Sequence, residues 1–94
     1  MGEIKLKYKV LTSFNKIGDV EQGIYKSYDQ INIQPGIDKL MFKFEKNKQI
    51  VYLPTESDLN KKLRMIEPDK TITITYTKDE LIGMAGTIKI FEII

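Results

Sequence analysis

The sequence predicts a small, mostly β domain of five strands closed into a barrel, with one short helix between the third and fourth strands. Along most of the chain apolar and polar residues alternate with a period of two, which is typical of half-buried strands. The spacing becomes helical once, between Pro54 and Glu67. A length of 94 residues suits one compact domain and is too short for two, so we expect residues 1–94 to form a single unit.

The first part of the chain predicts one or two strands and a loop. Residues 3–11 alternate apolar side chains with Lys5, Lys7 and Lys9, which indicates an extra strand or a basic arm within residues 1–13. Residues 20–28 form the next predicted strand, which Gly23 interrupts as at a bulge or sharp bend. Residues 29–38 contain a Pro-Gly pair and are predicted to be a loop.

A hairpin follows over residues 39–53. Leu40, Phe42 and Phe44 share the apolar face, and the alternate positions Lys39, Met41 and Lys43 share the other. The polar turn at residues 45–48 leads into a returning strand over residues 49–53.

The helix is predicted to begin at Thr55 as the N-cap, with Asp58 in the capping-box position. Its apolar face would carry Leu59, Leu63 and Ile66, and the turn at residues 67–69 would end it. Residues 71–77 and 87–93 are predicted strands, and residues 78–86 between them a loop or short helical turn.

Three strands, a helix and two strands follow one another in the order of the OB fold, in which the helix closes the bottom of a five-stranded barrel. An SH3-like barrel and a small α+β roll are alternatives with the same order of elements.

The composition argues against an enzyme. The chain has neither His nor Cys, which removes the commonest general base, the commonest metal ligands and the usual nucleophile arrangements. The carboxylates are scattered, without the spacing of a calcium loop, and no Gly-rich phosphate loop is present. We therefore expect no catalytic residue, no metal site and no cofactor.

The charge is mildly basic, with a net value of +2. Residues 1–50 carry nine lysines against six carboxylates, and the chain has a single arginine, Arg64. Attraction to phosphates through lysine is therefore more plausible than reading of base pairs in a groove. No apolar run reaches the roughly 20 residues needed to span a bilayer, so we expect no membrane association and a cytosolic protein.

Two stretches resemble a known family. Residues 14–25 read Phe-Asn-Lys-Ile-Gly-Asp-Val-Glu-Gln-Gly-Ile-Tyr, and the second half ends with Ile-Thr-Ile-Thr-Tyr at residues 72–76 and Phe-Glu-Ile at residues 91–93. This pattern resembles the small OB-fold single-stranded DNA-binding proteins of phages and mobile elements. The resemblance implies DNA binding without sequence preference, beside the enzymes of replication or recombination.

The hairpin of residues 39–53 is the leading candidate for nucleic-acid binding, because the second and third strands of OB barrels form the binding groove. Lysine would attract phosphates and an exposed aromatic ring would stack on bases. The alternative is a solvated edge whose lysines prevent aggregation, and for Tyr25 a place in the core. The candidate residues are Tyr25, Lys26, Lys39, Lys43, Lys46, Lys48 and Tyr52.

The segment from Leu81 to Met84 is unusually apolar for a loop. Leu81, Ile82 and Met84 must either fold back over the barrel mouth or meet another protein. The alternative function is therefore a non-catalytic accessory subunit or inhibitor that binds a polymerase, primase or helicase through this loop. Association with a second copy of the chain is a further alternative.

Overall fold

A computed structural model describes residues 9–94, except for the side chains of Ile33 and Ala85. The elements are β1 (Val20–Gln34), β2 (Ile37–Lys46), β3 (Gln49–Tyr52), α1 (Ser57–Leu63), β4 (Lys70–Leu81) and β5 (Thr87–Ile93), with a 3₁₀ turn at Gly83–Ala85. The predicted N-terminal strand over residues 3–11 lies outside the described residues except for its last three.

The strands form one antiparallel sheet in the order β3-β2-β1-β4-β5. A mostly β fold of five strands, with one helix between the third and fourth, is therefore confirmed. β3 and β5 lie at the two ends of the sheet and are not paired with each other, so the sheet is not closed. The outer edge of β3 instead makes a parallel bridge with Val10, and the amide of Leu11 donates to the carbonyl oxygen of Tyr52 at 2.8 Å.

The prediction of a loop over residues 29–38 is wrong. β1 and β2 pair as far as Gln34 and Ile37, so only Pro35 and Gly36 form the turn. Proline suits the second position of a type II turn, and Gly36 adopts the positive φ of 79° that the third position requires. The hairpin is largely exposed to water, so polar residues can occupy its strands.

Gly23 is required by close packing. A Cβ atom at this position would lie 2.7 Å from the Phe44 ring and 2.5 Å from the carbonyl oxygen of Glu45. The bulge itself lies further along β1, between Tyr25 and Ser27, where Lys26 is the extra residue. As a result Tyr25 and Tyr28 lie on the same face of the sheet, opposite Phe44 and Phe42.

The helix differs from its prediction at both ends. α1 begins after Glu56, whose side chain makes no capping hydrogen bond, so Thr55 is not the N-cap. Asp58 is turned towards β5, where its Oδ2 accepts a hydrogen bond of 2.9 Å from the amide of Phe91. The α-helix ends at Leu63, and a tighter turn then brings the amide of Ile66 to the carbonyl oxygen of Leu63.

The core lies between one face of the sheet and α1. It contains the aromatic residues of the predicted apolar face of the hairpin, the two helix leucines, and one aromatic residue each from β4 and β5. All are buried: Phe42, Phe44, Leu59, Leu63, Tyr76 and Phe91. Phe14 joins them from the segment before β1. Its ring centroid lies 5.1 Å from that of Phe91, in an edge-to-face contact. Within the described residues, no helix combines the length and the apolar character needed to cross a membrane.

Candidate nucleic-acid interface

One row of side chains crosses three strands on the face opposite the aromatic core. Ser27 of β1 lies opposite Lys43 of β2, and Lys43 lies opposite Tyr52 of β3. The next row on this face pairs Asp29 with Met41, and the third carries Lys39. We call Ser27, Asp29, Lys39, Lys43 and Tyr52 the outer surface. The structure thus brings together three of the predicted binding residues, Lys39, Lys43 and Tyr52.

Asp29 links the cation and the aromatic ring of the outer surface. Its Oδ2 lies 3.5 Å from the Lys43 ammonium and accepts a hydrogen bond of 3.2 Å from the Tyr52 hydroxyl. Partial burial and then this hydrogen bond raise the pKa of Tyr52 above its usual value, so the phenol stays neutral. The ring of Tyr52 is half-buried, and the hydrogen bond from its hydroxyl to Asp29 ties this residue of β3 to β1.

Met41 separates the two lysines of the outer surface and is itself buried. The Thr55 hydroxyl lies 3.7 Å from its sulfur, so the segment between β3 and α1 contacts this part of the sheet. Lys39 lies beyond Met41 and is exposed. Neither Lys39 nor Lys48 makes an ion pair with another residue in the part of the chain that the structure describes.

The two other lysines of the hairpin have different roles. Lys46 points to the opposite face, where its ammonium binds the carboxylate of Glu21, which also accepts a hydrogen bond from Ser13. Lys48 is exposed at the β2–β3 turn and has a positive φ of 64°, next to Asn47 with a φ of 53°. Both central residues of the turn therefore have the left-handed conformation of a type I′ hairpin.

Tyr25 and Lys26 lie apart from the outer surface. Tyr25 is only 2% exposed and packs in the core, so its ring is not accessible to a base. Of the two positions considered for Tyr25, a binding residue or a core residue, the second is correct. Burial raises the pKa of its phenol. The Lys26 ammonium is 2.6 Å from Oδ1 of Asp69, in the turn before β4. The alternation of residues 20–28 gave no indication of the contact between Lys26 and Asp69.

Tyr28 was not among the predicted binding residues, but its side chain is 51% exposed. It lies opposite Phe42 on the core face of the sheet, and the two ring centroids are 5.8 Å apart. The signal in the sequence was the aromatic pair Tyr25 and Tyr28. A bulge between two aromatic residues three positions apart places both on one face.

The apolar segment that begins at the last residue of β4 is exposed rather than folded back over the sheet. The exposed fractions of Leu81 and Ile82 are 74% and 45%, and the Met84 side chain lies entirely in solvent. A hydrogen bond of 2.9 Å from the amide of Ile82 to the carbonyl oxygen of Gly86 closes the turn that presents them. Three large apolar side chains are thus exposed at the tip of the β4–β5 hairpin.

An open groove lies elsewhere, between the end of α1 and β5. It has a volume of about 480 Å³, is open to solvent, and is lined by Met65, Ile66, Ile90 and Ile93 beside Lys62. Among the described residues, no group of three or more acidic side chains is arranged to hold a metal ion.

The arrangement can bind an anionic, partly aromatic ligand at the outer surface and an apolar partner at the β4–β5 tip. A comparison with known proteins finds no family model, curated protein or solved structure that matches the chain, so its function must be argued from its own residues.

Proposed function

We propose that the protein is a non-catalytic binding domain for single-stranded nucleic acid. The observation that carries the proposal is the row of Ser27, Lys43 and Tyr52, which sets a cation beside an aromatic ring on one face of the sheet. A positively charged groove combined with aromatic stacking is the usual way in which single strands are bound without sequence preference.

The order of the strands supports an OB-like architecture, with α1 between β3 and β4. OB domains bind oligonucleotides on the face of the second and third strands, which here carries Lys39, Lys43 and Tyr52. Together with the resemblance of residues 14–25 and 72–93, this supports a role in DNA replication or recombination of a phage or mobile element, and a cytoplasmic location.

Binding would proceed by exchange of one anion for another. A phosphate that approaches Lys43 replaces the Asp29 carboxylate, at a distance of 3.5 Å, as the partner of the ammonium. Lys39 is exposed and can contact a neighbouring phosphate, while a base stacks against the accessible part of the Tyr52 ring. These contacts involve phosphates and the flat faces of bases, so they carry no preference for a base sequence.

The test is a titration of labelled oligo(dT) by fluorescence anisotropy at several salt concentrations. Each phosphate contact adds about −0.7 to the log–log slope of affinity against salt, so Lys39→Ala with Lys43→Ala should reduce its magnitude by about 1.4. Removal of the two ammonium groups should also weaken binding at every salt concentration.

The matched control is Lys61→Ala with Arg64→Ala, which removes the same charge from exposed positions at α1. It should leave the slope near that of the unmodified protein. No binding to oligo(dT) at about 20 mM salt, or binding that does not depend on salt, would contradict the proposal.

A second function is favoured by the exposed hairpin tip. Leu81, Ile82 and Met84 form an apolar patch that suits a protein partner, and methionine adapts well to such surfaces. We propose as the alternative that the domain is an accessory subunit or inhibitor of a replication polymerase, primase or helicase.

For this alternative, we expect Leu81→Asp with Met84→Asp to weaken binding to the partner at least tenfold, because two charges would have to be buried at the contact. Surface plasmon resonance against the purified polymerase, primase and helicase of the same genome measures this effect. Met65→Asp, at another exposed apolar position, is the control. Equal partner binding by the double variant and the unmodified chain would exclude the tip as the contact. Sedimentation of the double variant and of the unmodified chain, each without a partner, would show whether the tip instead mediates self-association.

A further inference from the structure

Tyr28 combines an exposed aromatic ring with a position in the middle of a strand. Its side chain is 51% exposed, in contrast to that of Tyr25, which is 2% exposed on the same face. Tyr52 and Tyr76 donate their hydroxyl hydrogens to carboxylates, whereas the Tyr28 hydroxyl makes no hydrogen bond to another described residue. No hydrogen bond within the described residues therefore accounts for this hydroxyl, and half of the side chain lies outside the core.

The β1 bulge determines the direction of this ring. Simple alternation from Tyr25 would place residue 28 on the outer surface, but the extra residue Lys26 returns it to the core face. Ser27 has a φ of 94°, a positive value that residues other than glycine rarely adopt. The strand thus adopts an unfavourable conformation that aims Tyr28, and bulges beside binding sites often have this effect.

The Phe42 ring packs against the Tyr28 ring from one side. The Phe42 ring centroid lies 5.8 Å from that of Tyr28 and 6.2 Å from that of Tyr25. Phe42 is 1% exposed, so the row of three rings runs from the core outward and ends at Tyr28. The exposed part of the Tyr28 ring is a fixed, flat apolar surface, and a planar group stacked there would extend the row.

The surroundings leave this position open. β4 pairs with β1 only between Val20 and Tyr25, where Lys70 is the last partner. From Lys26 to Gln34, no described strand pairs with the second edge of β1. A ligand chain on the outer surface can therefore pass around this free edge and reach Tyr28 on the other face.

We infer that Tyr28 is a second stacking site, at which a nucleobase of the strand bound by Lys43 and Tyr52 packs against the exposed ring. The inference rests on the proposed function and adds a residue of β1 that lies on the opposite face of the same sheet. The nearby lysines contribute less, because Lys26 is paired with Asp69 and Lys70 lies 3.5 Å from Glu67. The contact is therefore one between flat rings rather than between charges.

The experiment uses the absence of tryptophan from the sequence. Tyr28→Trp places the only tryptophan of the variant at the proposed site, where it can be excited selectively over the remaining tyrosines. Titration with oligo(dT) of about 12 nucleotides should quench its emission, since this length lies within the known site sizes of single-strand binders. Val20→Trp is the control, since residue 20 is exposed on the same strand but lies opposite Thr75 of β4. Its fluorescence should not change on titration.

Affinity gives the second measurement. Tyr28→Phe should bind oligo(dT) within about twofold of the unmodified protein, and Tyr28→Leu should bind at least about fivefold more weakly, because a branched side chain does not stack. Circular dichroism shows whether the leucine variant is folded; if it is not, the quenching of Tyr28→Trp decides.

The inference and the proposed function fail in different ways. If the unmodified protein binds oligo(dT) but Tyr28→Trp is not quenched and Tyr28→Leu binds equally well, Tyr28 is not a stacking site and the proposed function stands. If the unmodified protein binds no single strand at low salt, the proposed function fails and the inference fails with it.

Discussion

At the level of single residues, Asp29 has the clearest consequence for binding. On the outer surface, which we propose binds phosphates, this carboxylate would compete with the ligand because it already contacts Lys43 and Tyr52. The Asp29 side chain is 45% exposed, so water screens its ion pair with Lys43 well and the pair contributes little to stability. If the proposed function is correct, its main effect is to make the Lys43 ammonium less available to phosphate.

We therefore expect Asp29→Asn to bind oligo(dT) roughly two- to fivefold more tightly, the range that corresponds to an exposed ion pair. The amide oxygen of asparagine can still accept the Tyr52 hydrogen bond, so the ring should keep its place. Anisotropy titrations compare this variant with Glu92→Gln, which makes the same change in net charge on β5. An equal gain in both variants would show that net charge, and not the contact with Lys43, limits the affinity.

Residue-level prediction succeeded where local alternation decides the outcome. Lys43 and Tyr52 meet because both lie on the same side of a short hairpin, which the pattern of residues 39–53 predicted. The position of Lys46 depends on Glu21, which is 25 positions away in the sequence, and alternation contains no information on such a contact. The environment of Tyr28 depends on a bulge at Lys26, whereas the sequence analysis expected a bulge at Gly23.

At the level of elements, the contact between α1 and β5 explains why the helix differs from its prediction. Asp58 accepts from the amide of Phe91, and Lys62 donates to its carbonyl oxygen, so one helix turn binds both polar groups of a residue at the sheet edge. Side chains one helical turn apart lie on the same face, which allows this pairing. Asp58 is therefore not available as part of a capping box.

This contact predicts a dependence of stability on acid. Burial opposes ionisation of Asp58, but the hydrogen bonds from Lys62 and Phe91 outweigh it, so the pKa of the carboxyl is lowered. A group whose pKa is lowered by folding stabilises the protein above its unfolded value of about 3.9, and this contribution is lost as the pH falls through the folded value. The folded protein should therefore lose stability below about pH 4.

Asp58→Asn should lower the free energy of unfolding by about 1–2 kcal/mol at pH 7, as expected for hydrogen bonds to a charged group. Urea denaturation at pH 7 and at pH 3 measures the difference, which should shrink at the lower pH. Glu67→Gln, in an exposed pair with Lys70, is the control and should change stability little. A difference that is the same at both pH values would show that the carboxylate charge is not involved.

At the level of the whole molecule, the number and order of the elements were predictable because each strand has its own alternation and the helix its own spacing. Closure of the sheet was not predictable, since it depends on whether β3 and β5 meet. In this chain the edge of β3 binds Val10, and part of the edge of β5 binds side chains of α1. Both edges of the sheet are thus contacted by segments outside the sheet, and the alternation pattern of the strands does not predict these contacts.

The close packing of Phe44 on Gly23 restricts which sequences can adopt this fold. A methyl group at position 23 would clash with both the ring and the Glu45 backbone, and backbone atoms cannot move aside as a flexible side chain can. In a set of related chains, glycine at position 23 and an aromatic residue at position 44 should therefore be inherited together. A relative that carries a larger residue at the first position should have a smaller one at the second and a shifted backbone between β1 and β2.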